Sequence, residues 1–265
     1  LLQDVSPGDK LPSFLSTGQF IKAMISFAGP LFATFLAVRF GDWKLVLAVY
    51  GITSVLAAIW LILTPIVESK PERKPATFSS CFGLLKNRFV LFMALSIFMI
   101  VGAEVAINTN IANILMAKFG LTLEKAAIGI SVFFAGETFA RLGGAILLNW
   151  IKPRPFLMLT ALVALAGVGG VLLSSVYFVA LVFIFITGLG AGNMFPVIFS
   201  LSLEKMPDRA NEISGLLIMA ISGGAVIPPV VGLVSTVVSP FASMFVIGFC
   251  MLYVLWVSFY VKKHL

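Results

Sequence analysis

The stretch that decides the fold is YFVALVFIFITGLGAGNMFPVIFSLSLEKMPDRANEISGLLIMAISGGAVIPPVVG, residues 177–232. It contains two apolar runs, each long enough to cross a bilayer, on either side of a short charged hinge, Glu204–Glu212. Both runs contain glycine and proline at a depth where the backbone has no water to bond. Because glycine lets two backbones approach and proline removes a backbone donor, the stretch predicts two closely packed, bent membrane helices.

Particular glycines and prolines of this stretch are predicted to set the helix packing. They are Gly188, Gly192, Pro196, Gly223, Gly224 and Pro228. We expect a larger side chain at Gly224 to obstruct a close helix contact. Kinked helices rich in small residues usually surround a path through the membrane.

The composition places the whole chain in a membrane. Of its 265 residues, 60% are hydrophobic and 11% are charged, against about 25% charged in an ordinary soluble domain. A helical span needs about 20 apolar residues. The sequence predicts an all-α protein with these spans: 19–40, 44–67, 88–117, 125–150, 155–174, 176–204, 211–237 and 240–261.

The net charge of +7 is distributed unevenly. If successive spans cross the membrane in opposite directions, the basic residues on its two sides are unequal in number. One side has Lys10, Lys70, Arg73, Lys74, Lys86, Arg88, Lys152, Arg154, Lys205, Arg209, Lys262 and Lys263, and the other side has only Arg39, Lys44, Lys118 and Lys125. Basic residues in short loops favour the cytoplasmic side. This predicts that both chain ends are cytoplasmic in a bacterial inner membrane, with basic loops on the lipid surface and no nucleic-acid partner.

The sequence lacks the residue sets that most enzymes and metalloproteins use. Cys81 and Cys250 are far apart, and the sole histidine, His264, is next to the C-terminus. This argues against a disulfide framework, a metal site, a cofactor and a catalytic triad, and we expect a protein that is not an enzyme. The first 18 residues lead into a span without a signal-peptide pattern, so we expect a fragment of a longer protein.

Polar residues interrupt the third span. Glu104 and Asn108 are four residues apart and share a helix face. Asn110 points away from that face, and Asn113 lies closer to it. A carboxyl group at membrane depth is costly and normally faces a bundle interior or water. The cluster predicts a ligand-facing site, and inter-helix hydrogen bonding that only holds the bundle together is the alternative.

Five further positions and two aromatic rings are candidates. Glu137 and Arg141 in the fourth span have the spacing of an ion pair, which either locks a helix or serves gating or proton coupling. Gln19 and Lys22 lie near the start of the first span, where Lys22 either extends to the headgroups or faces a cavity. Asn193 lies beside a proline kink, and rings such as Phe133 or Phe195 are candidates for stacking on a ligand.

Several segments resemble the fucose permease and glucose/galactose transporter family of the major facilitator superfamily. FPVIFSLSLEKM (195–206) and SGLLIMAISGGAVIPPVVG (214–232) resemble its tenth and eleventh helices, VGAEVAINTNIANIL (101–115) its seventh, ETFARLGGAIL (137–147) its eighth and STGQFIKAMISFAGPLF (16–32) its fifth. The resemblance implies a major facilitator fold truncated to helices five to twelve. Residues 1–67 would be part of the N-terminal bundle, 68–87 the central cytoplasmic loop and 88–265 a complete C-terminal six-helix bundle.

The resemblance also implies a function: secondary active transport of a hexose or deoxyhexose, such as glucose, galactose or fucose, by alternating access in a monomer. Proton-coupled members use carboxylates on the first and fourth helices, which are not in this chain, and Glu104 and Glu137 are extra relative to the fucose-type pattern. The expected sugar ligands are Gln19, Lys22, Glu104, Asn108, Asn110, Asn113 and Asn193, with Glu104, Glu137 and Arg141 in coupling or gating. An exporter of drugs or other metabolites, or a non-transporting scaffold or sensor, are the alternatives.

Overall fold

The computed structural model describes residues 11–42, 44–65 and 77–264, and in these ranges the regular structure is helical. The α-helices are α1 Leu11–Phe40, α2 Leu45–Leu63, α3 Phe78–Gly83, α4 Arg88–Phe119, α5 Leu123–Leu147, α6 Pro153–Leu173, α7 Tyr177–Ala191, α8 Met194–Lys205, α9 Ala210–Met219, α10 Gly223–Val237 and α11 Pro240–His264. Short 3-10 turns occupy Leu84–Lys86, Pro207–Arg209 and Ala220–Ser222.

Seven helical stretches are long and apolar enough to cross a membrane. They are Leu45–Leu63, Arg88–Phe119, Lys125–Leu147, Pro153–Leu173, Tyr177–Lys205, Pro207–Val237 and Pro240–Val261. These stretches match seven of the predicted spans, and the remaining one, 19–40, lies within α1. The prediction of an all-helical, multi-pass membrane protein is therefore confirmed.

The described residues divide into two compact units. One consists of residues 11–20 and 77–264, and the other of residues 21–42 and 44–65. Part of the predicted central loop, residues 68–76, lies outside the described residues, while the rest includes α3. Thr77 and Ser80 start α3 with reciprocal side-chain-to-backbone hydrogen bonds of 3.2 and 3.0 Å, which satisfy two of the backbone donors at the helix start.

Two of the membrane stretches are broken partway. The first break separates α7 from α8 at Gly192 and Asn193. Pro196 explains its position, because the proline has no N–H and its ring opposes the carbonyl of Gly192, four residues earlier. The second break is the 3-10 turn Ala220–Ser222 between α9 and α10. The regular α-helix is therefore interrupted inside the apolar run of both stretches.

Glycines allow α5 and α7 to touch through their backbones. A Cβ at Gly188 would overlap the carbonyl oxygen of Phe133 and would lie 3.0 Å from the backbone nitrogen of Glu137. A Cβ at Gly192 would lie 2.9 Å from both the Ala140 Cβ and the Glu137 carbonyl oxygen. These close contacts fix α5 against α7 next to the ionisable residues of α5.

A second close contact joins α4 and α10 at Gly223. A Cβ there would overlap the carbonyl oxygen of Phe98, whereas the nearest atom to a Cβ at Gly224 would be the Val105 Cγ2 at 3.3 Å. Successive helical residues point about 100° apart, since a turn takes about 3.6 residues. Gly223 therefore makes the tightest contact of this pair, and Gly224 has more room.

We predict that Gly223→Ala destabilises the protein by about 1–3 kcal/mol, the usual cost of overpacking, because the added methyl meets backbone rather than a movable side chain. Gly232→Ala is the matched control, since it lies in the same helix and an added Cβ meets no atom within 4 Å. Thermal unfolding of the purified full-length protein measures both. Equal melting temperatures for the two variants would contradict the packing at Gly223.

Candidate functional site

Three ionisable side chains meet between α4 and α5. The Nη2 atom of Arg141 lies 3.1 Å from the Glu104 Oε1 and 3.1 Å from the Glu137 Oε2. Glu104 is at the midpoint of the 32-residue α4, and Glu137 and Arg141 are one turn apart on α5. We call Glu104, Glu137 and Arg141 the charged triad. The sequence predicts the Glu137–Arg141 pair, but it does not predict that Glu104 joins it from a neighbouring helix.

Exposure differs among the three side chains. The Glu137 side chain is 0% exposed, that of Arg141 9% and that of Glu104 26%. Arg141 donates a hydrogen bond from Nη2 to Glu104, while its buried Nε has no hydrogen-bond partner among the described residues. Glu104 is therefore the most exposed side chain of the three, and the Nε donor of Arg141 is unused within the described part of the chain.

The packing of α5 holds Arg141 in this position. The side-chain amide of Asn193 donates to the carbonyl of Ala140, the residue before Arg141. Gly144 makes room for this amide, because a Cβ there would overlap the Asn193 side chain. Asn193 is 2% exposed, and its Oδ1 has no partner within the described part of the chain. This placement supports a packing role, and its predicted role as a sugar ligand stays a prediction.

The asparagines of α4 differ in their surroundings. Asn108, one turn after Glu104, is half-buried, and Asn113 is exposed. Asn110 is buried, and its amide donates to the Ala106 carbonyl at 3.1 Å and the Thr109 hydroxyl at 2.9 Å. Because the Asn110 donor is used within its own helix, Asn108 is the amide best placed to act with Glu104.

The remaining predicted ligands are more dispersed. Gln19 is half-buried and Lys22 is exposed, both in α1. Their roles as sugar ligands stay predictions. Phe133 is fully buried and packs edge-on against Phe134, so the hypothesis that its ring stacks on a ligand is wrong. A fully buried ring has no open face to offer. Phe195 is half-buried and lies against Phe199.

Lys118 has a role that the sequence analysis missed. Its ammonium donates to the carbonyls of Val171 and Leu172 at 2.7 and 2.6 Å, at the C-terminal end of α6. A cation at this end stabilises carbonyls that lack partners in their own helix. The position of Lys118 in the last turn of α4 was visible in the sequence, but the neighbouring helix end was not.

A cleft of about 1060 Å³ lies at the end of the bundle predicted to be cytoplasmic, where α5 ends and α6 begins. Lys152 and Arg154 line it, and Arg154 lies 3.7 Å from Glu204 of α8. Both partners of that pair are substantially exposed, with side-chain exposures of 32% and 57%. Exposed pairs of this kind contribute little to stability.

Comparison with known proteins identifies the relatives of this chain. The family model described as Major Facilitator Superfamily matches residues 1–229. A protein of Helicobacter pylori named "Putative glucose/galactose transporter" is 30% identical over 221 residues, which is 82% of this chain and 52% of that protein. The glucose/galactose transporter of Brucella abortus is 31% identical over 200 residues, 74% of this chain and 47% of the relative. The chain therefore spans about half the length of these relatives.

The fold also matches solved structures. The transporter FucP in its outward conformation superposes with a TM-score of 0.70 at 21% identity, covering 83% of this chain and 53% of that chain. A second structure, of the E. coli fucose:proton symporter FucP, gives a TM-score of 0.70 at 22% identity. The helical arrangement described above is therefore the fold of these transporters.

We predict that Arg141→Met lowers the free energy of unfolding by about 3–5 kcal/mol, because it removes the buried guanidinium that pairs with the fully buried Glu137 and with Glu104. Arg154→Met removes an exposed arginine and should cost at most about 1 kcal/mol. A variant combining Arg141→Met with Glu104→Gln and Glu137→Gln should regain most of the loss. Thermal unfolding of the full-length protein measures all three, and similar losses for Arg141→Met and Arg154→Met would contradict a buried triad.

Proposed function

Because the chain belongs to the Major Facilitator Superfamily, we propose that the protein carries a monosaccharide across the bacterial inner membrane by alternating access. The proposed substrate is a hexose or deoxyhexose, since relatives matching most of this chain are named for glucose and galactose and the fold neighbour for fucose. Proton coupling is proposed from the name of the same neighbour. The proposed activity is transport rather than catalysis.

One observation carries the proposal: a partly exposed carboxylate at the midpoint of a membrane helix. Glu104 is held by Arg141, and Asn108 lies one turn further along the same face. A carboxylate exposed to lipid is energetically costly, so a water-filled cavity best explains the exposed part of the Glu104 side chain. A carboxylate accepts hydrogen bonds, and an amide both donates and accepts them. Together they suit the hydroxyl groups of a sugar.

The broken helices support the alternating-access part of the proposal. Transporter sites often lie near the bilayer midplane beside discontinuous helices. The interruptions at Gly192–Asn193 and at Ala220–Ser222 occur inside two membrane stretches of this chain. Each interrupts a membrane stretch partway along its length, as in the discontinuous helices of such transporters.

The finer assignments are part of the same proposal. Residues 1–67 are assigned to an N-terminal bundle, 68–87 to a central cytoplasmic loop and 88–265 to a C-terminal bundle of a monomer. The proposed sugar ligands are Glu104 and Asn108 first, then Gln19, Lys22, Asn110, Asn113 and Asn193. Glu104, Glu137 and Arg141 are assigned to coupling or gating.

Uptake by the full-length protein in proteoliposomes tests the proposal. We expect uptake of labelled glucose, galactose or fucose, and we expect excess unlabelled substrate sugar to block it. Amphipathic drugs at the same concentration should leave it unchanged. Uptake of a drug but of no hexose would favour an exporter, and binding without movement would favour a sensor; either result contradicts the proposal.

We predict that Asn108→Ala weakens sugar binding about tenfold, or about 1.4 kcal/mol, because it removes hydrogen bonds worth about 1 kcal/mol each. Asn211→Ala is the control, since Asn211 is an exposed asparagine of α9. Titration of the purified protein with the transported sugar measures both affinities. An unchanged affinity in Asn108→Ala would remove Asn108 from the site.

A further inference from the structure

We propose that the short helix α3 is an anchor in the membrane interface. Its exposed phenylalanines, Phe78 and Phe82, insert into the headgroup region of an anionic lipid bilayer, and the basic residues Lys86 and Arg88 contact the lipid phosphates. The partner is lipid on the side of the membrane predicted to be cytoplasmic. The proposal goes beyond the proposed function and does not depend on which substrate the protein carries, because it concerns the segment that leads into α4.

The first argument is the exposure of two large apolar side chains. Phe78 is 77% exposed and Phe82 is 50% exposed. The two residues are four positions apart in α3, so they lie on the same face of the helix. We call Phe78 and Phe82 the phenylalanine face. Two exposed rings side by side are unfavourable in water and favourable against the apolar part of a bilayer.

The other residues of α3 show how this face is oriented. Successive residues of a helix point about 100° apart. Ser79 and Gly83, each directly after a phenylalanine, point further round the helix and are exposed. Cys81 points the other way and is buried against α9, where a Cβ at Gly215 would lie 3.7 Å from the Cys81 Sγ. The phenylalanine face therefore lies between a protein contact and a polar face, as in a helix that lies in the plane of a membrane interface.

Two connections hold α3 at the level of the membrane surface. Arg88 begins the membrane stretch Arg88–Phe119, five residues after the end of α3. The second connection is the contact of Cys81 with Gly215, which belongs to the membrane stretch Pro207–Val237. Gly215 is the sixth residue of α9, about 7.5 Å from the start of that helix at 1.5 Å per residue. Interfacial helices bury their apolar face about 5–10 Å deep, so α3 lies at a suitable depth.

The charges beside α3 favour anionic lipid. Residues 77–88 include Lys86 and Arg88, which are both exposed, and contain no acidic residue. On the neighbouring α9, Glu212 is paired with Arg209 at 3.2 Å. Basic residues next to a membrane-bound segment are attracted to the negative surface of the cytoplasmic leaflet. The apolar and the electrostatic contributions therefore favour the same partner.

The size of the phenylalanine face favours lipid over a protein partner. Two phenylalanine side chains offer at most about 500 Å², whether or not all of it is reached. A specific protein interface of standard size buries about 800 Å² on each partner. A bilayer needs no complementary surface, and it is present wherever the adjoining membrane stretches are inserted.

Fluorescence quenching in vesicles tests the insertion of α3. The variants Phe78→Cys, Phe82→Cys and Ser79→Cys of the full-length protein carry a fluorescent label in vesicles of phosphatidylcholine and phosphatidylglycerol, and each phenylalanine variant keeps the other ring. Label taken up by the wild-type protein, in which Cys81 and Cys250 are buried, is the background. One quencher is a nitroxide on the lipid chain near the headgroup, and the other is iodide in the water.

We expect the nitroxide to quench the labels at positions 78 and 82 more strongly than iodide does. The label at position 79 is the matched control on the polar face, and iodide should quench it more strongly. Iodide quenching at 78 and 82 equal to that at 79 would overturn the proposal. Protection of 78 and 82 from both quenchers would also overturn it, because protein would then cover the phenylalanine face.

A charge reversal tests the preference for anionic lipid. Lys86→Glu, added to the labelled Phe78→Cys variant, should reduce nitroxide quenching when phosphatidylglycerol is present and leave it unchanged in phosphatidylcholine alone. Lys152→Glu is the control, since Lys152 is an exposed lysine on the same predicted side, between α5 and α6. Equal losses in the two lipid mixtures, or an equal loss in Lys152→Glu, would overturn the assignment of anionic lipid as the partner.

Discussion

The structure depends on the sharing of Arg141 between two carboxylates. A lone carboxylate in the middle of a membrane helix costs a few kcal/mol or more, and this chain places two of them on adjacent helices. One guanidinium nitrogen, 3.1 Å from each, attracts both carboxylates and ties α4 to α5. In surroundings of low polarity this attraction is stronger than at a protein surface. The same contact thus joins two helices and places a partly exposed carboxylate beside a guanidinium in the middle of a membrane stretch.

Close packing by glycine gives this contact its geometry. Gly188 and Gly192 have no side chain, so α5 packs directly against the backbone of this segment. The Asn193 side-chain amide donates a hydrogen bond to the Ala140 carbonyl. Arg141 directly follows Ala140 in the chain. The contact that holds the Ala140 backbone therefore also positions the backbone of Arg141. The interruption of the helix at Gly192–Asn193 makes this amide available at the contact. Packing and chemistry therefore depend on the same short segment.

The sequence predicted what depends on periodicity and composition, and it failed where partners come from another helix. The membrane stretches, the helix interruption near Pro196 and the Glu137–Arg141 pair follow from the sequence along one helix. The inclusion of Glu104 in the triad does not, because it requires the rotation of α4 against α5. The same limit explains why Gly224 was singled out although Gly223 makes the tighter contact.

Sugar transport at the proposed site requires that water and sugar reach the Glu104–Asn108 face of α4. A cysteine at position 108 tests this directly in the full-length protein with Cys81 and Cys250 replaced, which are both buried in the wild type. We predict that a membrane-impermeant thiol reagent labels Asn108→Cys and that the transported hexose slows the labelling. A cysteine that stays unlabelled from both sides of the membrane, or one labelled at the same rate with and without sugar, would contradict it.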